Sequence, residues 1–280
     1  MPVLSATDLE FWRQQGYIVV PDAVPPENVE AAARALWDFA DMDPDDPASW
    51  YTDPPRTGVM IEMYHHQALW NNRQHPRLHQ AFADIWGTEK LWVSLDRTSI
   101  NPPIGPLFSH AGGLHWDRRL ELPMNFSVQG VLYLSDTPAH QGAFVCVPGF
   151  HHKIEDWIRS LATEVEDLAK HPFPGFIPQE ELVGEFAPTP IAAGAGDLII
   201  WHSSLPHGHS PNTGERPRLA QYINMNPAPA DQTEKPHDRI RSWKELLTGN
   251  GPPQKAKENA TGRTAELTPL GRKLLGLDWW

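Results

Sequence analysis

The chain has 280 residues, a formal net charge of -12 and 40% hydrophobic residues, which suits one large domain with a substantial core. The negative balance argues against nucleic acid and anionic membranes as partners, and the longest apolar runs, such as Leu198-Ile199-Ile200-Trp201, fall far short of the roughly 20 residues a membrane span needs. The single cysteine, Cys146, excludes an intrachain disulfide and points to a reducing compartment, by default the cytoplasm.

The opening residues lack a basic region and a sustained apolar run, so no secretory leader is expected. Thr7-Asp8-Leu9-Glu10 reads as a capping box that opens a short helix ending near Gly16. Tyr17 to Val20 is a short apolar strand. A second helix starts at Pro25-Pro26, with Val29, Ala33, Leu36, Trp37 and Ala40 on one face at helical spacing. Residues 41–58, acidic and rich in proline, read as a surface loop. A third helix is predicted over His75 to Trp86, with Leu78, Phe82, Ile85 and Trp86 inward and Gly87 as its stop.

The period then changes to two. Leu91, Val93 and Leu95 alternate with Trp92, Ser94 and Asp96. In Phe126 to Ser135, Phe126, Val128, Leu132 and Leu134 oppose Ser127, Gln129, Val131 and Tyr133. Ala143–Val147, Asp197–Trp201 and Leu219–Met225 are further strands. An amphipathic helix over Glu155 to Ala169 interrupts them, Ser242-Trp243-Lys244-Glu245 caps a late helix, and the polar stretch from Pro252 is a surface connection. The expected fold is mainly β with flanking helices around a double-stranded β-helix, a jelly roll of the cupin-like kind. A single domain is expected over 1–280. Within it we place a helical buttress at about 1–90, the jelly-roll core at about 91–226 and a C-terminal extension at about 227–280.

Chemistry concentrates in two places. In Gly112-Gly113-Leu114-His115-Trp116-Asp117, a histidine and an aspartate stand two apart, which on a strand turns both to one face. With 14 histidines in the chain, about one such pair arises by chance at ordinary composition, so a polar surface pair is the plain alternative. The second place is Gly194 to Met225, where an apolar strand leads to His207, a Gly/Ser/Pro/Asn turn, and Arg216 and Arg218. Two histidines and a carboxylate can form the facial triad of non-haem Fe(II) oxygenases. An arginine beside such a site can hold a dicarboxylic cosubstrate through a bidentate pair.

The combination of "HWD", "GAFVCVPGFHH" and "GDLIIWHSSLPHGHSPNTGERPR" resembles the phytanoyl-CoA dioxygenase-like branch of Fe(II)/2-oxoglutarate dioxygenases. "FWRQQGYIVVPDAVPPENV" is similar to the family's opening helix, strand and second helix, so the resemblance touches residues 8–226. It implies His115, Asp117 and His207 as iron ligands. It implies Arg218, eleven residues after His207, as the partner of 2-oxoglutarate, with Arg216 as the substitute. His209 replaces a serine of the family pattern, so "HGH" offers an alternative ligand. The Pro148-Gly149-Phe150-His151 turn departs from the family's Pro-Gly-Ser-His.

Gln129 is a candidate contact for cosubstrate, and Trp116, Tyr133 and Trp201 for substrate. His110, His151, His152 and His202 read as structural or solvent-facing, and Cys146 has no basic neighbour that would make it a nucleophile. The resemblance further implies Fe(II), 2-oxoglutarate and O2 as cofactor and cosubstrates. Its reaction is hydroxylation of an unactivated carbon of a small-molecule metabolite, with succinate and CO2 released. Two rivals stay open: a cupin-like metal-dependent hydrolase or isomerase, and a non-catalytic metal-binding protein on the same fold.

Overall fold

The structure is a computed structural model of the chain, and it describes every residue except 111, 119, 121, 161–185, 231–235, 249–256 and 259–262. In chain order the described elements are α1 (Ala6–Gln15), β1 (Tyr17–Val20), α2 (Pro26–Ala40), β2 (Met60–Ile61), α3 (Gln67–Arg73) and α4 (Pro76–Trp86). There follow β3 (Leu91–Val93), β4 (Thr98–Asn101), β5 (Val128–Tyr133), β6 (Phe144–Cys146), α5 (Ile154–Ser160) and β7 (Thr189–Ile191). Last come β8 (Leu198–His202), β9 (His207–His209), β10 (Arg218–Tyr222), β11 (Met225–Pro227), α6 (His237–Glu245) and α7 (Pro269–Leu275).

All strand pairings are antiparallel. The larger sheet runs β1-β8-β5-β10-β4-β2, a second runs β7-β6-β9, and β11 pairs with β3. The large sheet is buried on both faces, and the period-two pattern sorts its residues between two cores. Val128 and Leu132 of β5, with Leu198 and Ile200 of β8, pack with Leu78 and Phe82 of α4 in the helical layer. Val131 and Tyr133, with Ile199 and Trp201, face the other way and pack with Phe144, Cys146 and Val147 inside the jelly roll. A strand buried on both sides reads as a continuous apolar run, which is why "DLIIW" shows no polar face.

Several boundaries differ from expectation. The capping box of α1 is built on Ser5 with Asp8, two residues earlier than the Thr7 reading, because Ser5 accepts from the Asp8 amide and Asp8 returns to the Ser5 amide. Within 41–58, Pro47–Trp50 form a 3-10 turn and Trp50 is buried, its indole donating to the Asp43 carbonyl. Leu219–Met225 is two strands, broken where Asn224 Oδ1 takes the Gly130 amide at 2.8 Å. Ser242-Trp243-Lys244-Glu245 closes α6 and does not open it: Ser242 lies inside the helix and its carbonyl takes the Leu246 amide. The predicted helix Glu155–Ala169 is seen as α5 up to Ser160, and the remainder falls outside the described residues.

The C-terminal region packs on the helical layer. Leu274 and Leu275 of α7 are fully buried there, and Trp280 donates to the Leu91 carbonyl at 3.1 Å while stacking on His79. Glu258, within the stretch expected to be a surface connection, is buried and accepts the amides of Tyr64, His65 and His66 at 2.9, 2.7 and 2.9 Å. That carboxylate satisfies the backbone amides of the segment leading into α3, which would otherwise be left without these partners. Fully buried Arg73 then ties the Tyr64 carbonyl to that of Asp96, each at 2.6 Å. The segments bearing Glu62 and Arg97, which edge the cavity described next, are fixed by these bonds.

Candidate active site

The opening of the jelly roll holds a cavity of about 560 Å³, lined among others by His115, Asp117, Gln129, Trp201, His207, His209 and Arg218. His207 enters it from β9. His115 is not on a regular strand; it meets His207 through an isolated antiparallel bridge, with amide-to-carbonyl bonds of 2.9 and 3.0 Å in the two directions. Asp117 follows in a bend and turns back toward both rings. Its Oδ1 lies 3.4 Å from His115 Nε2 and its Oδ2 lies 3.1 Å from His207 Nε2. One ligand atom from each of the three residues lies within 4.8 Å of the others, the one such cluster among the described residues.

The donor chemistry of this cluster fits a divalent first-row cation. His115 Nδ1 bonds the Gly113 carbonyl at 3.0 Å and His207 Nδ1 the Leu205 carbonyl at 3.1 Å. Carbonyl contacts of this kind place the proton on Nδ1 and leave Nε2 as the ligand nitrogen. Both Nε2 atoms converge on a carboxylate, so either protons or a cation must sit between them. Burial opposes ionisation of Asp117, but the hydrogen bonds and charges of His115 and His207 outweigh it and hold the carboxyl well below the usual range. Burial likewise lowers His115, and the Asp117 contact reverses this and raises it. A divalent ion held here by His115, Asp117 and His207 would take the place of those protons. The His207 side chain is 5% exposed, whereas His115 and Asp117 keep 41% and 46%, so the open side of the triad faces the cavity.

Arg218 opens β10, where it stands opposite Asn101 of β4. It is 2% exposed. Its Nε donates to the Gly142 carbonyl at 3.1 Å and its Nη1 to Ser99 Oγ at 3.0 Å. No carboxylate among the described residues pairs with it. A buried guanidinium with only neutral acceptors is a prepared anion site.

The other expected site residues divide. Gln129 lines the cavity and donates to Asp117 Oδ2 at 2.7 Å. Trp201 also lines it, packed against Phe144 and His207. Trp116 does not: it is fully buried, bonds the Ser204 carbonyl at 3.0 Å, and packs with Phe150 and Trp157 in the inner core. Tyr133 is also core, its hydroxyl accepting the Phe144 amide and donating to the Ile191 carbonyl. Two residues of "HWD" face the cavity while the central tryptophan turns to the opposite side, as extended backbone requires.

His209 reaches the cavity but stays outside the metal cluster, with Nδ1 on the Ser210 carbonyl at 2.9 Å. Burial, then Arg218, pushes it down to about 4. Arg216 is exposed and lies away from the cavity. The sequence reading missed Ser99, Asn101, Asp96, Arg97, Tyr222 and Asn224. The signal for the first two was present in "TSIN", a strand whose polar side chains are all buried.

The model of one protein family, described as phytanoyl-CoA dioxygenase (PhyH), matches residues 12–220, most of the chain, including His115, Asp117, His207 and Arg218. The chain belongs to the phytanoyl-CoA dioxygenase family. A member of this family is a dioxygenase-type oxidoreductase that works with iron and 2-oxoglutarate, and the triad described above has the donors for that iron. Among curated relatives, a protein of Aspergillus versicolor described as Ava biosynthesis cluster protein O is 26% identical over 235 residues, 78% of this chain and 76% of its own. Among solved structures, a hypothetical protein of Escherichia coli superposes with a TM-score of 0.74 at 19% identity, covering 98% of this chain and 82% of its own. The epimerase SnoN in complex with Fe3+, alpha ketoglutarate and nogalamycin RO superposes with a TM-score of 0.58 at 16% identity, covering 94% of each. These two likenesses establish a shared fold. No described helix of this family member is long and apolar enough to cross a membrane.

Proposed function

We propose that this phytanoyl-CoA dioxygenase family member hydroxylates an unactivated carbon of a small-molecule substrate. In the balanced reaction, substrate, O2 and 2-oxoglutarate give the alcohol, succinate and CO2. His115, Asp117 and His207 hold the iron, and Arg218 holds the far carboxylate of 2-oxoglutarate. The observation that carries this reading is Arg218, a buried cation without a carboxylate partner in the same cavity as the triad. Neither a hydrolase nor a purely structural metal site calls for a second, prepared anion site. A closed structural site would also use four protein ligands.

Iron held at this site would activate O2, the oxidant that breaks the C–H bond, while 2-oxoglutarate would supply two of the four electrons that O2 takes up as it is decarboxylated to succinate. The chain supplies placement. Phe144 and Trp201, with ring centroids 4.4 Å apart, form an apolar wall beside His207 that excludes water and can seat the carbon to be oxidised. The rim is polar, with Asp96, Arg97, Tyr222 and Asn224. Arg97 is paired with Glu62, and the whole chain carries -12. This rim suits a neutral or cationic polar group better than the phosphates of coenzyme A. The single cysteine, Cys146, which is free and allows no intrachain disulfide, supports the cytoplasm as the place of action.

Steady-state kinetics on 2-oxoglutarate tests the reading. Arg218→Ala should raise KM for 2-oxoglutarate on the order of a hundredfold or more, because it removes a buried charge-assisted pair. Arg216→Ala should leave it within about twofold, as expected for an exposed side chain. Equal effects would remove Arg218 from its role. Labelled dioxygen then separates hydroxylation from a net desaturation or epimerisation, since only the first leaves label in the product.

A further inference from the structure

We infer that Gln129 is a positioning residue that holds Asp117 so that its carboxylate binds the metal through one oxygen. The inference rests on the reading of His115, Asp117 and His207 as a metal site. Gln129 stands on the inner face of β5, opposite Trp201 of β8. Its Nε2 donates to Asp117 Oδ2 at 2.7 Å, the shortest contact that carboxylate makes to a side chain in the described site. The same Oδ2 faces His207 Nε2, while Oδ1 faces His115 Nε2.

Were a cation to take the place of the protons between the rings and the carboxylate, His207 would no longer donate to Oδ2. Gln129 still would. An ionised carboxylate has about four lone-pair sites on its two oxygens, and the amide N–H takes one on Oδ2 and fixes the plane of the group. With Oδ2 so engaged, Oδ1 would be the freer oxygen to hold a cation, and a chelate by both oxygens would be disfavoured.

The other end of the amide confirms what orients it. Gln129 Oε1 is buried without a hydrogen-bond partner, so the contact with Asp117 is the bond that aims the side chain. The reversed amide would set Oε1 against Asp117 Oδ2, two acceptors facing each other, and is excluded on that ground. Outer partners of metal ligands tune affinity by about 10–100-fold, and Gln129 has the placement for such an effect. It comes from a strand at the centre of the large sheet, which holds it more rigidly than a loop would.

The test uses the full chain and Mn(II) as the probe, titrated without oxygen and read by electron paramagnetic resonance, with the Co(II) d–d absorption spectrum as a second readout. Gln129→Met keeps the length of the side chain and removes the donor. It should weaken Mn(II) about 10–100-fold, change the Co(II) spectrum, and lower kcat at saturating metal while KM for 2-oxoglutarate stays within about twofold. Gln129→Ser serves if the first variant does not fold. Wild-type Mn(II) affinity and an unchanged Co(II) spectrum in the variant would overturn the inference. So would a raised KM for 2-oxoglutarate with metal affinity intact, which would make Gln129 a direct cosubstrate contact. Failure of the wild-type protein itself to bind Mn(II) would remove the metal reading beneath it.

Discussion

His207 and His209 stand two apart on β9 and both reach the cavity, yet their ring nitrogens have different surroundings. His207 Nε2 lies 3.1 Å from a carboxylate oxygen. His209 Nε2 is buried with no partner, in a ring that burial and Arg218 keep low. His207→Ala should lose Mn(II) binding by more than about a hundredfold, since removing a ligand exceeds the loss of an outer partner. His209→Ala should retain it within about threefold on the same argument. The reverse order in an anaerobic titration would exchange the two assignments. The spacing of "HGH" leaves this choice open, because both rings lie on the same face of the strand. The bridge decides it by placing His207, and not His209, opposite His115 and within reach of the Asp117 carboxylate.

At the scale of elements, the metal site depends on β9 lying close against the segment that bears His115. Gly208 permits that approach: a Cβ there would sit 2.2 Å from the Gly113 carbonyl oxygen, whose partner in contact is His115 Nδ1. Gly208→Ala should therefore separate the two histidines and weaken Mn(II) at least about tenfold, while costing only about 1–3 kcal/mol of stability as an overpacking change at the sheet edge. Gly130→Ala provides the contrast. Its Cβ would strike the Ile223 carbonyl oxygen at 2.6 Å and Phe82 at 2.8 Å, between the sheet and α4. It should lower Tm more than Gly208→Ala and affect Mn(II) less. If both variants move Tm and metal affinity in parallel, the site and the helical layer are not separable. The alternation in β5 predicted two faces for that strand, and both were legible. That the second face also meets a core was not, since the strands that cover it, β6 and β9, belong to a separate sheet that only the fold brings over it.

For the molecule as a whole, a histidine cluster joins the N-terminal helix to the jelly roll. His151 and His152 both contact the Arg13 carbonyl near the end of α1, and the His202 ring lies 5.1 Å from that of His151, tilted against it. Burial, then the neighbouring His152, pushes His151 down to about 4; burial, then His151 and Arg118, pushes His202 down to about 3. Both folded values lie below the 6.5 of a free histidine, so the unfolded chain takes up these protons first as pH falls. The stabilisation is fully present above about pH 6.5 and is lost progressively toward pH 4 and below. Relief of charge repulsion from -12 works in the opposite sense over the same range, so the comparison between variants is the measurement. Tm should fall more steeply below pH 6.5 in wild type than in His202→Asn. Identical slopes would show that the cluster does not couple acid to stability.

The family, the His-x-Asp pair, the offset from His207 to Arg218, and most of the longer helices and strands were legible in the chain alone, whereas β2, α3, β4, β7, β9 and the break before β11 were not. The legible features are local: capping residues, period and spacing within a few tens of residues express them directly. Tertiary structure alone decided which residues meet. It set His115 against His207 across 92 positions through two backbone bonds, sent Trp116 and Tyr133 into the core and kept Trp201 at the cavity. It also buried Glu258 under α3. The reason is that period reports a side chain's face but not what covers that face. In this fold both faces of the large sheet are covered, so an inward position can end equally in packed core or in the site, and only the cross-strand register tells them apart.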